Sequence, residues 1–190
     1  MATATVQTRR FSRKEYDRMV EAGIFGPGER LELVEGEIVR MTPQGSVHAT
    51  GIQLAQETLG TLFRAGFLVR VQMPLALGSV SEPEPDIAVV PGSPRDFRQT
   101  HPAMAALIVE VSDSTLAFDR QTKGRLYAEA GIPEYWIVNL IDGKLEVYRE
   151  PTAPAKGTAY YREILTLGPS NIVSPLAAPG SSIRVADLLP

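Results

Sequence analysis

Short apolar runs alternate with polar punctuation along this chain, and the period of each run names an element. "FSRKEYDRMVEAG" predicts a helix: Ser12 is its N-cap, Glu15 closes a capping box, and Gly23 is the stop. Gly26-Pro27-Gly28 follow as a turn. In "RLELVEGEIVRMTP" Leu31 and Leu33 alternate with polar residues, Glu35-Gly36 turn, and Ile38-Val39 start the return strand of a hairpin that ends at Pro43. The stripe of Ile52, Leu54, Ala55, Leu59, Leu62 and Phe63 has near-helical spacing and runs to Gly66. "FLVRVQMPLAL" reads as a strand, "SEPEPDIAVVPG" as a turn entering a strand over 86–90, and 91–105 as a polar loop. Residues 107–111 are a strand, and "FDRQTKGRLYAEAG" is a helix with Leu126 and Tyr127 inward and Gly131 as its stop. "PEYWIVNLIDGKLEVYRE" is a hairpin around Asp142-Gly143. A Pro- and Ala-rich loop over 151–158 and strands around 161–167 and 182–186 complete the chain.

No repeat and no linker interrupts this pattern. It predicts an α+β fold with an α/β-type core, a mixed sheet flanked by a few helices, in one domain over 1–190. The apolar share of 44% and charged share of 22% suit a soluble globular protein. No apolar run is long enough to cross a membrane, and the start has no apolar h-region after its arginines, so a cytoplasmic protein with no membrane partner is expected. With no cysteine there is no disulfide, thiolate metal site or cysteine nucleophile. His48 and His101 alone are too few for a histidine-based zinc site, so any metal site must use oxygen ligands, which suits Mg²⁺ or Mn²⁺. A net charge of −3 argues against a protein that coats nucleic acid non-specifically, but not against a local basic patch.

One residue disturbs the pattern. In "LIVEVSDST", Glu110 sits mid-strand among β-branched apolar residues. Alternation puts Ile108, Glu110 and Ser112 on one face and Leu107, Val109 and Val111 on the other. A buried carboxylate must go neutral, pair, or bind a metal. The alternative is a solvent-facing Glu on a half-exposed edge strand. Two further features stand in order with it: Asp86 opens the 86–90 strand after Pro85, and Asp119 and Lys123 lie four apart on the next helix. Each has a plainer reading. Asp86 can be a turn or cap residue, Asp119 a helix N-cap or first-turn acid, and Asp119–Lys123 a surface ion pair. Together they offer two carboxylates on neighbouring strands for one divalent cation, with the Val111 backbone carbonyl as a further ligand. A nearby lysine can orient the attacking water or stabilise phosphate charge.

The run "LIVEVSDST…FDRQTKGRLYAEAGIPEYWIVN", with "LVEGEIVRM", "PEPDIAVV" and "SSIRVADLL", resembles the Uma family of restriction-endonuclease-like proteins, within the PD-(D/E)xK nuclease superfamily. The likeness spans about 11–189. It implies a restriction-endonuclease-like mixed sheet, one divalent-metal site, and Asp86, Glu110 and Lys123 as the motif aspartate, second acid and lysine. The superfamily pattern puts a lysine two residues after the second acid, where this chain has Ser112, so the lysine has moved to the following helix. The resemblance also makes Glu35 a supporting acid near the metal and His48 a candidate for substrate contact or proton transfer, with Asp119 in support. Tyr135 and Trp136 read as core rather than a base-stacking platform.

The expected function is therefore metal-dependent hydrolysis of DNA phosphodiesters, with Mg²⁺ or Mn²⁺ as cofactor and DNA as partner. The rival readings are a non-catalytic nucleic-acid- or protein-binding module on the same scaffold, and a phosphoesterase acting on small nucleotides. Cutting a palindrome needs two copies of the site, which leaves a homodimer open without naming an interface.

Overall fold

The computed structural model of the protein describes residues 8–155 and 157–190. The first seven residues and Lys156, which fall in the readings of the chain start and the 151–158 loop, lie outside the described residues. Helix α1, Arg13–Glu21, begins on Ser12 with the full capping box: the Ser12 side chain accepts from the Glu15 N–H and the Glu15 carboxylate accepts from the Ser12 N–H. The hairpin β1, Leu31–Val34, and β2, Glu37–Arg40, turns on Glu35 and Gly36, both at positive φ (51° and 80°), the conformation that matches strand twist. Helix α2 spans Ser46–Leu62.

Six strands form the main sheet: β3 (Phe67–Val71), β4 (Ile87–Pro91), β5 (Leu107–Ser112), β6 (Glu134–Asn139), β7 (Lys144–Thr152) and β8 (Tyr160–Leu167), in that spatial order. Only β5 and β6 run parallel. A parallel pair needs a crossover, and it is helical: α3 (Leu116–Phe118), a π-helical turn (Asp119–Lys123) and α4 (Gly124–Glu129). A two-residue strand, β9 (Ile172–Val173), which the sequence pattern does not reveal, pairs with β10 (Ile183–Arg184) near the C-terminal end of the chain.

Alternation on β5 is as the sequence predicts. Leu107, Val109 and Val111 pack with Ile52, Ala55 and Leu59 of α2 and with Trp136, while Ile108 faces Tyr127, Tyr135 and Ile137 on the other side. Tyr135 and Trp136 are both core residues. The strand read over 67–77 stops at Val71, because Gln72 takes a positive φ of 49° and leaves the ladder. The helix read from Phe118 starts earlier, at Leu116, and Asp119 is inside it rather than capping it. Among the described residues no helix is long and apolar enough to cross a membrane.

Helix α2 reaches β5 by a close approach at Gly51, where a Cβ would stand 2.9 Å from Val111 Cγ1. Val111 is β-branched, buried and fixed in the sheet centre, so it cannot yield. Gly60 lies on the same helix with open space around it. The two glycines therefore have opposite signs. Gly60→Ala is expected to stabilise by about 0.5–1 kcal/mol through helix propensity. Gly51→Ala is expected to destabilise by about 1–3 kcal/mol because overpacking outweighs that gain. Urea unfolding of both variants measures this; stabilisation by Gly51→Ala would contradict the packing.

Candidate active site

Asp86 is the residue just before β4, and its neighbours hold it on every side. Its Oδ2 accepts from the Val111 N–H at 2.9 Å and faces His48 Nε2 at 3.3 Å. Its Oδ1 accepts from Gln72 Nε2 at 3.1 Å. The Gln72 N–H also donates to the Asp86 carbonyl, so the strained turn at Gln72 grips Asp86 by both main chain and side chain. Glu110 reaches back: its Oε2 accepts from the Asp86 N–H at 3.2 Å. The β4–β5 register ends at Ile87↔Val109. Asp86 and Val111 thus meet where the ladder has run out, which leaves their groups free for other partners.

Glu110 is buried, and its Oε1 accepts from Lys123 Nζ at 2.9 Å and from the Tyr127 hydroxyl at 2.7 Å. Lys123 is itself only 1% exposed, so it is neither a surface lysine nor half of a surface ion pair. Its ammonium also lies 3.4 Å from Oε1 of Glu32, a fully buried residue of β1. Asp119 is buried as well, its Oδ2 accepting from the hydroxyls of Ser112 and Thr115, both at 2.7 Å. Ser112 thus serves Asp119 and does not stand in for a lysine. The π-helical turn brings in Asp119 and Lys123 together: the Asp119 carbonyl accepts from the Gly124 N–H and from the Tyr135 hydroxyl at 3.1 Å.

His48, Asp86, Glu110, Val111, Asp119 and Lys123 share one narrow cavity of about 40 Å³, whose mouth includes Arg30 and Asp113. That volume suits an ion with a water or two, given a share of about 30 Å³ per water. Along a strand a residue's N–H and C=O leave on the same side, so the Val111 carbonyl points to the side where its N–H meets Asp86. The donors are all oxygen, hard ligands suited to Mg²⁺ or Mn²⁺. Among the described residues no cluster of three or more His, Cys, Asp or Glu could hold a metal ion. Magnesium tolerates that, since it keeps several waters and takes only one or two carboxylates from a protein. Asp86, Glu110 and the Val111 carbonyl fit such a cation.

A family model described as "Putative restriction endonuclease", Uma2, matches residues 13–186. The chain belongs to the Uma2 family. A solved structure described as "a putative nuclease belonging to DUF820 from Anabaena variabilis ATCC 29413" superposes with a TM-score of 0.68 at 19% identity, covering 94% of this chain and 97% of that one. That likeness establishes the restriction-endonuclease-like mixed sheet flanked by helices. No curated protein matches.

Not every expected residue of this Uma2 chain reaches the cavity. Glu35 stays at the hairpin turn, where Arg125 Nε donates to it at 3.0 Å, and it does not line the cavity. The acid that approaches Lys123 is Glu32, three residues earlier. Between Leu31 and Leu33 it reads as the solvent side of an amphipathic strand, and nothing local to the sequence marks it otherwise. Gln72 and the Tyr127 hydroxyl were likewise silent: one acts through a backbone turn, the other looked like a core anchor.

Electrostatics follow from this crowding in the Uma2 site. Burial works to raise the Asp86 carboxyl, but His48, the Val111 N–H and Gln72 outweigh it and hold Asp86 below the ordinary range. The same contact with Asp86 raises His48 against its own burial. Burial pushes Glu110 up to about 8, despite the pull of Lys123. It raises Asp119 also. Burial disfavours the Lys123 ammonium, yet Glu110, Glu32 and Asp119 outweigh it and keep it charged. The titration belongs to the coupled cluster, which holds a proton that the unfolded chain has released. From roughly pH 4.3, the ordinary glutamate value, up to about 8, the folded state binds more protons than the unfolded one. Stability in chelator should therefore fall as pH rises through that window. Urea midpoints across it test this, and Glu110→Gln should flatten the slope. A slope equally steep in that variant would take Glu110 out of the account.

Proposed function

We propose that the chain is a divalent-metal-dependent endonuclease that hydrolyses DNA phosphodiester bonds. One observation carries this reading: Lys123 Nζ lies 2.9 Å from one Glu110 oxygen while the other Glu110 oxygen accepts from the Asp86 N–H. Two acids and a lysine from three separate elements thus meet at one cavity in a family described as restriction endonucleases. Mg²⁺ or Mn²⁺ would be held by Asp86, Glu110 and the Val111 carbonyl, and when bound supplies Lewis-acid activation of the phosphate and of the attacking water.

The protein's own groups do the rest. Lys123 brings a fixed positive charge to the charge that builds on the phosphoryl oxygens, in a site where burial makes that interaction strong. Asp86, its carboxylate held by three partners and kept ionised, remains an oxygen ligand at neutral pH. His48 keeps Nε2 on Asp86 and turns Nδ1 toward Asp113, 3.9 Å away, so it both orients the aspartate and can hold a proton at the cavity mouth. Asp119, tied to Ser112 and Thr115, fixes the wall on the helix side. A Uma2 enzyme of this kind would act on DNA in the cytoplasm, and two copies would serve a palindromic target.

Supercoiled plasmid incubated with Mg²⁺ or Mn²⁺ should be nicked or linearised. Asp86→Asn and Lys123→Met should each slow this by about 10²–10³-fold, the scale of losing one charge-stabilising group. Millimolar Mn²⁺ should raise the melting temperature of wild type and not of Asp86→Asn. Wild type that neither cleaves DNA nor is stabilised by either cation would overturn the proposal.

A further inference from the structure

Glu32 is a charge with half its hydrogen bonding unmet. Its Oε2 accepts from the Glu84 N–H at 3.0 Å. Its Oε1 is buried with no hydrogen-bond partner, although Lys123 Nζ lies 3.4 Å away. A buried carboxylate oxygen without a donor is costly, and folded proteins seldom leave one so. Glu32 does not line the cavity; Lys123 does. Glu32 therefore meets the cavity only through the lysine.

The ammonium has two carboxylates within reach and a close contact with only one: 2.9 Å to Glu110 against 3.4 Å to Glu32. Glu110 is also the acid that a divalent cation would recruit. An oxygen turned to a cation cannot keep an ammonium at full strength, and an ammonium left unpaired in this interior would be strongly destabilising. The free Glu32 oxygen stands within about half an ångström of bonding distance.

We infer that Glu32 is a positioning residue that provides a second seat for the Lys123 ammonium, taking its charge when Glu110 turns to a divalent cation. The inference rests on the metal site proposed above. It gives a specific meaning to the missing hydrogen bond: the Oε1 of Glu32 is kept open for a proton donor already beside it. It also makes Glu32 matter to cation binding without being a ligand.

The test is Mn²⁺ affinity, measured calorimetrically without DNA on wild type, Glu32→Gln, Lys123→Met and the double variant, each checked for fold by circular dichroism. In the wild-type background Glu32→Gln should weaken Mn²⁺ binding about tenfold, and in the Lys123→Met background by less than about twofold, the coupling expected within one ion-pair network. An equal loss in both backgrounds would mean that Glu32 acts by its field or by direct ligation, and overturns the inference. So does wild-type affinity in Glu32→Gln. Should Lys123→Met fail to fold, Glu32→Asp decides: it keeps the charge but withdraws the oxygen from the ammonium. A loss matching Glu32→Gln supports the seat; wild-type affinity in Glu32→Asp overturns it. If wild type itself binds no Mn²⁺, the metal site and this inference fall together. If wild type binds and Glu32→Gln binds equally, only the seat falls.

Discussion

The site depends on one ammonium held inside the protein. Lys123 is enclosed by Glu110, Glu32 and Asp119, and none of those acids is exposed. Removing the lysine leaves buried carboxylates facing one another; removing Glu110 leaves a buried cation short of its nearest partner. Either loss is far more costly than that of a surface pair. The surrounding hydrogen bonds fix the geometry of this cluster: Tyr127 donates to Glu110, Ser112 and Thr115 to Asp119, and Tyr135 to the helix backbone behind it.

The sheet makes such a cluster tolerable. β5 is third of six strands and covered on both faces, so Glu110 projects into an interior already walled by Ile108, Tyr127 and Ile137. The parallel step to β6 obliges a helical crossover, and that crossover carries Lys123 and Asp119 back over the strand they serve. On the opposite face α2 comes close enough at Gly51 to touch Val111, and His48, one turn earlier, arrives at Asp86 by the same approach. Chemistry and packing therefore share residues: Val111 contacts α2 through its side chain and Asp86 through its N–H.

Legibility in the sequence followed the range of each interaction. Elements with local causes were readable: the Ser12 capping box, the Glu35-Gly36 turn, the alternation on β5. Glu110 was readable because a carboxylate in a β-branched run contradicts its surroundings. Asp86 and Lys123 became meaningful once set beside it and beside the family resemblance. Glu32 contradicts nothing around it: its strand alternates as a half-exposed strand should, and its burial arises only when the hairpin folds against the crossover helix. Glu35, the more conspicuous acid, went to Arg125 instead, and no spacing rule separates the two. Gln72 was hidden for another reason, since its role comes from a positive φ that non-glycine residues seldom adopt.

Charge accounts for why hydrolysis at this place would call for a divalent cation. Three buried acids, Glu110, Glu32 and Asp119, surround one ammonium, and Asp86 stands beside Glu110 with the His48 imidazole at its edge. The other cations of the crossover helix are committed elsewhere, Arg120 to Glu146 and Arg125 to Glu35. A phosphodiester entering such a cavity would meet the ionised Asp86 carboxylate, and the Lys123 ammonium beside it is already paired with Glu110. A divalent cation held by Asp86 and Glu110, as proposed, would add two positive charges at the point where phosphate oxygens would approach. It would also offset the burial that, more than the neighbouring acids, pushes Glu110 up. The acids that make the cluster costly would, on the proposed reading, also make it selective: they would hold little attraction for DNA until a cation had bound.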